Sequence, residues 1–348
     1  MINTKSYAVF NPTTPLQPFD FQRRTPGPKD VHIQILYCGV CHSDFHQAKD
    51  EWGGSLYPMV PGHEIVGKVV YVGEQVSKFK PGDLAAVGVL VASCRKCSGC
   101  NQDLEQYCTG GATLTYNNLE KDGKTLAQGG YSNHIVTDEH FVFRISPKLD
   151  LAATAPLLCA GITTWSPLRY LGVSKGIKVA VAGLGGLGHM GIKFAVALGA
   201  EVAIVSSNTT KEKEAKKLGA HHFIHSGDPD MMKKFKGYFD VVLNTISAPH
   251  PYAPYLDLLT LNGTMAIVGL PPSRQDISAF SLITNRRSIL GSTIGGIKET
   301  QEMLDFCAEK NIVSDVEVIP IQQINQAWER MLKGDVRYRF VIDISTLG

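Results

Sequence analysis

Apolar and polar positions alternate differently in the two halves of the chain. In about the first 150 residues, short apolar segments rich in β-branched residues are separated by glycine and proline, a pattern typical of β-strands. The predicted strands are Val31–Tyr37, Ile65–Val72, Leu84–Val91 and Ser132–Val136. The pair Pro81-Gly82 predicts a tight turn between two of them. We therefore expect a β-rich first domain.

From about Leu151 the pattern changes to apolar strands that alternate with helical segments. This alternation predicts βαβ crossovers and a parallel sheet. The predicted strands are Ile177–Ala182, Val202–Val205, Asp240–Leu243 and Met265–Val268, and the predicted helices include Gly191–Leu198 and Lys211–Leu218. After about Gly295 we expect the chain to return to the first domain through the elements Thr300–Glu309, Val316–Ile319, Asn325–Lys333 and Arg339–Ile344.

Length and composition describe a globular protein of two domains. The 348 residues exceed what one hydrophobic core usually serves, and 44% of them are hydrophobic against 19% charged. The formal net charge of +2 argues against a nucleic-acid-binding protein, which usually presents a basic face. The first residues lack a signal-peptide core, and no apolar run has the length of a membrane helix. We therefore expect a cytoplasmic protein with reduced thiols.

Four of the eight cysteines lie close together in a loop-like segment. Cys94, Cys97, Cys100 and Cys108 have the spacing C-x2-C-x2-C-x7-C, which lets a short stretch of backbone present its sulfurs to one ion. Zn2+ accepts four thiolates in a tetrahedron, and a closed set of this kind has a structural role. Buried or redox-active thiols and an iron–sulfur cluster are the alternatives to a structural zinc site.

A second metal site is predicted from residues that are distant in sequence. Cys41 follows one predicted strand, His63 precedes another, and Cys159 lies in an apolar segment. Two thiolates and one imidazole leave a fourth position on zinc for water or substrate. Each residue taken alone is more typical of a core or loop position, so this hypothesis depends on the other features of the chain.

A glycine-rich turn follows the predicted strand Ile177–Ala182 and precedes a helix. The turn consists of Gly183, Leu184, Gly185, Gly186, Leu187 and Gly188. In this context the pattern is typical of a dinucleotide-binding turn, because its glycines let the pyrophosphate approach the amino-terminal end of the helix. A turn that is merely flexible is the alternative.

The end of the next predicted strand indicates which dinucleotide is bound. An NAD enzyme normally places Asp or Glu there to bind the adenosine ribose, whereas this chain has Ser206, Ser207 and Asn208. Serine hydroxyls can donate hydrogen bonds to a 2′-phosphate and Lys211 can neutralise it, while a carboxylate would repel it. We therefore expect NADP(H) rather than NAD(H).

Several longer segments occur in order along the chain: Cys41–His46, Tyr57–Glu64, Ala155–Thr164, Gly183–His189 and Gly295–Leu304. Together with the cysteine-rich loop, they resemble the zinc-dependent medium-chain dehydrogenase/reductase superfamily over nearly the whole chain. Within it, the sequence is similar to the cinnamyl-alcohol-dehydrogenase group, in particular bacterial broad-range aldehyde reductases. The resemblance implies an α/β fold, with a GroES-like catalytic domain at residues 1–153 and 295–348. Residues 154–294 would form a Rossmann dinucleotide-binding domain.

The resemblance assigns roles around the open metal site. The implied ligands of a catalytic zinc are Cys41, His63 and Cys159. Glu64 falls where the family has an acid that can approach the metal when the site is empty, and Arg339 is its implied partner. Asp44 falls where a carboxylate holds the ligand histidine. With the cysteine-rich loop, the resemblance thus implies two zinc ions per chain, one catalytic and one structural.

The resemblance also implies a reaction and a proton path. The reaction is a reversible hydride transfer between NADPH and an aldehyde whose oxygen is polarised by zinc. Ser43 would contact the substrate oxygen and pass a proton through the nicotinamide ribose, and His46 would exchange that proton with solvent. Without the resemblance, Ser43 would be interpreted as a hydroxyl at a helix end.

A substrate pocket is implied by the same correspondence, with Gln47, Trp52, Leu114, Phe280 and Ile297 as its lining. Most of these residues are apolar, which suits an aromatic or medium aliphatic aldehyde. For Trp52, a buried core position is the competing interpretation. Plant members that reduce cinnamaldehydes carry tryptophan at the position of Leu114, which argues against a lignin-type substrate and favours broad aldehyde reduction. Family members commonly form homodimers through strands near Ile289–Ile294.

Two other functions stay open from the sequence. One is a zinc-free quinone or enone reductase of the same superfamily, which would lack the metal-ligating residues. The other is a non-catalytic redox sensor that binds zinc and dinucleotide without turnover. His221, His222 and His225 are interpreted as polar loop residues, and Cys38 and Cys307 as core thiols.

Overall fold

The computed structural model describes residues 1–272 and 274–348, which form two compact units. The first unit is discontinuous and comprises Met1–Cys159 and Gly295–Gly348, whereas the second comprises Ala160–Ile294. Residues 154–159, which the sequence analysis assigned to the dinucleotide-binding domain, lie in the first unit. The reason is local packing, since the 3-10 turn Ala155–Leu158 contacts strands of the first unit's main sheet.

The amino-terminal segment of the first unit consists mainly of short strands. They are β1 Ile2–Ala8, β2 Gln17–Arg23, β3 Asp30–Gly39, β4 Ile65–Val72, β5 Leu84–Val87, β6 Leu90–Ala92, β7 Thr113–Leu114, β8 Asn118–Leu119, β9 Leu126–Ala127, β10 His134–Asp138 and β11 Phe143–Arg144. The helices of this segment are α1 His42–Ala48, α2 Ser98–Asn101 and α3 Leu151–Thr154.

The second unit alternates helices and strands. Its helices are α4 Ala160–Tyr170, α5 Gly188–Ala197, α6 Glu212–Lys217, α7 Pro229–Lys234, α8 Ala253–Leu256 and α9 Ala279–Ile283. Its strands are β12 Lys178–Ala182, β13 Glu201–Ser206, β14 His222–His225, β15 Phe239–Asn244, β16 Leu259–Ile267 and β17 Ser288–Gly291. The chain then returns to the first unit with α10 Ile297–Lys310, β18 Val316–Pro320, α11 Ile324–Leu332 and β19 Arg339–Asp343.

The main sheet of the first unit has seven strands. The order is β11-β5-β4-β3-β19-β18, and β10 also pairs with β3. The last strand of the chain, β19, runs antiparallel to β3 with Val341 opposite Gly39. The carboxyl-terminal segment therefore supplies the strand next to the one that leads into Cys41.

Two features of the first unit differ from the sequence analysis. The predicted strand Leu84–Val91 is divided into β5 and β6 at Gly88, where a Cβ atom would lie 3.3 Å from the Leu158 carbonyl oxygen. The hairpin β1–β2 was not predicted, because polar side chains occupy positions on its buried face. Thr4 and Ser6 are both buried, and the Ser6 hydroxyl donates to the Phe19 carbonyl.

The second unit contains a six-stranded, fully parallel sheet, as predicted. The strand order is β14-β13-β12-β15-β16-β17, so successive strands are added on one side of β12 and then on the other. The glycine-rich turn directly follows β12 in the chain and therefore lies at this reversal point. The prediction that His222 and His225 lie in a loop was wrong, because they are the first and last residues of strand β14. His221 lies just before the strand, as predicted. An edge strand tolerates such polar residues, and the His222 ring contacts the Glu201 carboxylate at 2.7 Å.

Within the described residues, no single helix is long and apolar enough to cross a membrane. The bent pair Leu151–Leu158 and Ala160–Tyr170 meets the length and composition test only when its two parts are counted together.

Candidate active site and metal centres

The four cysteines of the cysteine-rich loop converge on one point in the first unit. Their sulfurs all lie within 4.8 Å of one another. The shorter separations are 3.6 Å for Cys97 to Cys100, 3.9 Å for Cys97 to Cys108 and 4.0 Å for Cys94 to Cys100. Zn–S bonds of about 2.3 Å in a regular tetrahedron require sulfurs roughly 3.8 Å apart. The cluster therefore fits zinc without rearrangement.

The backbone around this cluster favours thiolates. The backbone N–H groups of Cys100 and Thr109 lower the pKa of the Cys97 thiol to about 5. The backbone N–H of Cys94 donates to the Cys108 sulfur at 3.3 Å. Because four sulfurs complete the tetrahedron, this centre leaves no vertex for a substrate, and its chemistry is that of a structural site.

A second cluster joins Cys41, His63, Glu64 and Cys159, whose ligand atoms also lie within 4.8 Å of one another. All four residues are buried, and the sulfurs of Cys41 and Cys159 are 3.8 Å apart. The nearby Cys41 sulfur and burial hold the pKa of the Cys159 thiol well above its usual range. Two thiolates at this distance in a buried place therefore need a cation, and the separation is that of two sulfurs on one zinc ion.

Strand pairing brings these distant residues together. Strands β3 and β4 are antiparallel, with Cys38 opposite Ile65, so Cys41 just after β3 lies near His63 just before β4. Cys159 directly follows the 3-10 turn Ala155–Leu158, which contacts both strands. Long-range pairing of this kind has no local signature in the sequence.

Asp44 fixes the geometry of this second cluster and is fully buried. Its Oδ1 lies 3.2 Å from Nδ1 of His63 and accepts a hydrogen bond from the backbone N–H of Gly62. Its Oδ2 accepts from the Cys41 backbone N–H and from the Tyr131 hydroxyl. With Nδ1 held by a carboxylate, His63 turns Nε2 toward the Cys41 thiol, where it can bind a metal ion.

Glu64 and Arg339 form a buried ion pair beside the thiols. Burial raises the pKa of the Glu64 carboxyl to about 7 despite the arginine. Oε2 of Glu64 is buried and has no hydrogen-bond partner among the described residues. This orphaned oxygen next to two thiols is a further indication that a cation belongs in the cluster.

Ser43 and His46 lie on helix α1, beside the cluster. The Ser43 hydroxyl is 3.6 Å from the Cys41 sulfur. Nδ1 of His46 contacts the Glu51 carboxylate at 2.5 Å, and the His46 side chain is partly exposed. In the implied proton path, Ser43 therefore lies beside the metal ligands and His46 lies at the solvent-exposed surface.

Two tyrosines of this site were missed by the sequence analysis. The Tyr131 hydroxyl contacts Asp44 at 3.0 Å, and the Tyr116 ring stacks on the His63 ring with centroids 5.8 Å apart. Gly62, at φ +103°, allows this packing, because a Cβ there would lie 2.7 Å from the Tyr131 ring. Neither tyrosine follows a recognisable motif, so only the fold identifies them.

In the second unit, the glycine-rich turn joins β12 to α5. Gly183 has φ +92°, and a Cβ on Gly188 would lie 1.9 Å from the Gly183 carbonyl oxygen, so both positions require glycine. Gly185 is exposed, with nothing within 4 Å of its virtual Cβ. Helix α5 begins at Gly188 and directs its first backbone N–H groups toward this turn. The turn leaves space for a phosphate group at the helix end.

The end of β13 lies close to the same turn. Ser206 is buried at the end of the strand and Ser207 is exposed. The Lys211 ammonium donates to the Leu184 carbonyl oxygen at 2.6 Å, which holds a positive charge at the glycine-rich turn. The side chains at and just after the end of β13 thus carry hydroxyl groups and an amine, a set that fits a 2′-phosphate.

The residues expected to line the substrate pocket are distributed over both units. In the first unit, the Gln47 side chain accepts a hydrogen bond from Asn117, Leu114 pairs with Leu90 across β6 and β7, and Ile297 begins α10. Trp52 is 46% exposed, so the competing interpretation of a core tryptophan was wrong. Phe280 belongs to the second unit, on α9, and is 71% exposed.

Comparison with known families agrees with this geometry. An alcohol dehydrogenase GroES-like domain matches residues 27–147, and a zinc-binding dehydrogenase model matches residues 186–309. The chain belongs to the zinc-dependent medium-chain dehydrogenase/reductase family, in its cinnamyl-alcohol-dehydrogenase group. The predicted family and fold class are confirmed.

Individual relatives cover almost the whole chain. The chain is similar to aldehyde reductase YahK of Escherichia coli strain K12, with 53% identity over 345 residues and 99% of each chain covered. It is also similar to a cinnamyl alcohol dehydrogenase from Sorghum bicolor, with 41% identity, a TM-score of 0.96 and 99% and 98% of the two chains covered. A cinnamyl alcohol dehydrogenase from Helicobacter pylori, solved with NADP(H), has 44% identity, a TM-score of 0.93 and 99% of each chain covered.

Proposed function

We propose that this chain is a zinc-dependent oxidoreductase that reduces aldehydes to primary alcohols with NADPH, reversibly and over a broad aromatic and aliphatic range. The observation that carries the proposal is the buried cluster of Cys41, His63 and Cys159, a ligand set that leaves one position of a tetrahedron for an oxygen. The names of the similar E. coli aldehyde reductase and H. pylori enzyme support this reaction.

The first unit would hold two zinc ions. Cys94, Cys97, Cys100 and Cys108 would bind the structural ion. Cys41, His63 and Cys159 would bind the catalytic ion, and the Glu64 carboxylate would lie within reach of it. Zinc at the open site supplies Lewis-acid polarisation of a carbonyl oxygen. Asp44 keeps the His63 ring oriented for this task, and Arg339 holds the Glu64 carboxylate beside it.

The chain's own residues would deliver the proton. In the direction of aldehyde reduction, the Ser43 hydroxyl donates a proton toward the substrate oxygen. His46, on the next turn of α1 and partly exposed, would resupply it from solvent.

In the second unit, the cofactor would bind at the glycine-rich turn Gly183–Gly188 with its 2′-phosphate near Ser206, Ser207 and Lys211. NADPH supplies the hydride. The test of this preference is Ser207→Asp, which places a negative charge where the phosphate would lie. We expect the KM for NADPH to rise far more than the KM for NADH in steady-state assays. Equal changes for both cofactors would contradict the assignment.

In the first unit, the pocket would be lined by Gln47, Trp52, Leu114 and Ile297. Three of these four side chains are apolar, which favours aldehydes with aromatic or medium aliphatic bodies. Leucine at position 114 has no aromatic ring to stack on an aromatic substrate, as tryptophan would. We therefore propose that cinnamaldehydes of the lignin type are not the preferred substrates.

The decisive experiment is an assay of aromatic and aliphatic aldehydes with NADPH and NADH in parallel, on protein of measured zinc content. We expect about two zinc ions per chain and turnover of several aldehydes with NADPH. Turnover of quinones or enones by zinc-free protein would favour the zinc-free reductase. Cofactor binding without turnover of any aldehyde would favour a redox sensor.

We further propose a cytoplasmic homodimer. Strand β17 is at the edge of the parallel sheet, and neighbouring α9 exposes Phe280 and Ile283, with 71% and 67% of their surface accessible. An open edge and exposed apolar side chains are features that a second copy of the chain would cover. Sedimentation analysis at micromolar concentration should give twice the chain mass, and a monomer would contradict the proposal.

A further inference from the structure

The first unit contains a second recess that includes none of the metal ligands or expected substrate-binding residues. It has a volume of about 290 Å³ and is lined by residues of β2, β3, β6, β7, β9 and β10 and of the connection after β8. Its inner wall is apolar and is formed by Val91, Ala92, Ala127, Ile135 and Val136. Lys121 and Asp122, both exposed, lie at its solvent side. This recess is named the β10 cavity below.

Arg23 is the unusual member of the lining. Only 7% of its surface is exposed, and its Nη2 donates to the carbonyls of Gln128 and Gly129 and to the Ser132 hydroxyl. Its Nε is buried and has no hydrogen-bond partner among the described residues. All three recorded partners are neutral oxygens, so the guanidinium lacks a counter-ion in direct contact.

The charge on Arg23 persists at neutral pH. Burial lowers its pKa to about 10, with a partly opposing effect of Glu120. A buried cation without a paired anion is costly, and a carboxylate that docks against it would recover a charge-assisted hydrogen bond.

The acidic residues around the β10 cavity are already engaged. Arg24 binds Asp30 through two nitrogens and contacts Glu120 at 3.2 Å through Nε. Asp138 pairs with Arg95 at 2.7 Å, outside the lining. Asp122 accepts hydrogen bonds from the backbone N–H groups of its own loop. Glu120 therefore acts on Arg23 only through space, and none of these four carboxylates has a recorded direct contact with its guanidinium.

We propose that the β10 cavity binds a small organic monocarboxylate, with its carboxylate against Arg23 and its apolar body against the wall of Val91, Ala92, Ala127, Ile135 and Val136. The engaged acids at the rim repel a second negative charge, which disfavours phosphates and dicarboxylates. The apolar wall favours a ligand with an apolar body, because a fully polar anion would gain no free energy from burying apolar surface against it.

Hexanoate is a suitable probe, and hexanamide is its neutral counterpart of the same length. Isothermal titration calorimetry on the zinc-loaded enzyme would compare the wild type with two variants. Ala127→Leu fills the β10 cavity but keeps every recorded hydrogen bond of Arg23. Arg23→Gln removes the charge, and because it also removes bonds to Gln128 and Gly129, its fold is checked by circular dichroism and zinc content.

We expect wild type to bind one hexanoate per chain with a Kd on the order of millimolar and to bind hexanamide at least about ten-fold more weakly. Ala127→Leu should weaken hexanoate binding by about ten-fold or more, and Arg23→Gln should abolish the preference for the acid over the amide. Thr210→Val, an exposed substitution in the second unit, is the control and should bind hexanoate like wild type.

Two results would overturn the proposal. The first is absence of hexanoate binding to wild type. The second is equal affinity of wild type and Ala127→Leu, since hexanoate would then occupy another place. In that case, loss of binding in Cys159→Ser would assign the carboxylate to the catalytic metal site. None of these results bears on aldehyde reduction, which the substrate assay tests separately.

Discussion

The two cysteine clusters of the first unit use similar sulfur separations for different purposes. In the cysteine-rich loop, the shorter distances are 3.6–4.0 Å, and four half-exposed or buried thiols come from a stretch of 15 residues, Cys94–Cys108. In the buried cluster, two sulfurs 3.8 Å apart share the site with an imidazole and a carboxylate. Four sulfurs close a tetrahedron, whereas two sulfurs and an imidazole leave one position open beside the Glu64 carboxylate.

The surroundings of the clusters differ as much as the ligands. The loop cluster is stabilised mainly by its own backbone, through N–H groups that contact the sulfurs. The buried cluster is stabilised by other side chains: Asp44 holds His63, Tyr131 holds Asp44, and Arg339 holds Glu64. The cluster with an open position is therefore oriented by side chains outside its ligand set. The closed cluster needs little beyond its four ligands and their own backbone.

The largest difference between the clusters should appear when one ligand of each is removed. Cys159→Ser should lose one zinc per chain and all measurable turnover, because the open site cannot hold its ion. Metal analysis and an NADPH assay test this. Cys307→Ser, a buried cysteine of the same unit outside both clusters, is the matched control and should keep both ions and its activity. A Cys159→Ser enzyme that retains turnover would remove the basis for an open catalytic site.

Ser43→Ala should reduce turnover by about 10²–10⁴-fold while both zinc ions stay bound, because only the proton donor beside the open site is removed. Stopped-flow reduction of an aldehyde by NADPH measures the effect. Zinc content and the KM for NADPH should remain those of wild type. A rate close to wild type would mean that protons reach the substrate without Ser43.

Asp44→Asn should weaken zinc binding at the open site by about 10–100-fold, since an amide cannot accept the three recorded hydrogen bonds of Asp44 and also hold Nδ1 of His63. Competition with a chromophoric chelator measures the affinity of each ion. The loop zinc in the same protein serves as the internal control and should be unaffected. Equal weakening of both ions would indicate general unfolding instead of loss of ligand orientation.

Cys100→Ser should have the smallest effect on chemistry. We expect loss of the loop zinc and a melting temperature lower by about 5 °C or more, because metal binding contributes to local folding. The value of kcat per remaining zinc at 25 °C should stay within about two-fold of wild type, because the closed site has no vertex for substrate. A loss of kcat comparable to that of Ser43→Ala would show that the loop takes part in catalysis.

The contrast also explains what the sequence revealed. The loop cluster was predicted from spacing alone, since its ligands are neighbours in the chain. The glycine-rich turn was similarly visible, because strand, turn and helix are consecutive. The open cluster became convincing only through the family resemblance, as each ligand is ordinary in isolation. Tyr116 and Tyr131 were missed because their role arises from tertiary packing.

For secondary structure too, local sequence patterns were predictive and tertiary effects were not visible. Strongly apolar segments such as β4 and β12 were predicted closely. The hairpin β1–β2 was missed because its buried positions include the polar residues Thr4 and Ser6, so apolar and polar residues do not alternate along it. Strand β14 was missed because it begins and ends with histidine. Polar residues that are satisfied by hydrogen bonds inside a fold cannot be distinguished from loop residues by hydropathy.

The position of β19 has a consequence for biosynthesis. Arg339 pairs with Glu64, which lies 275 residues earlier, and β19 is the neighbour of β3 in the sheet. A nascent chain exposes both cysteines and the histidine of the open cluster long before β19 emerges from the ribosome. The buried metal pocket is therefore completed only once β19 has been synthesised, whereas the cysteine-rich loop has all its sulfurs available much earlier in synthesis.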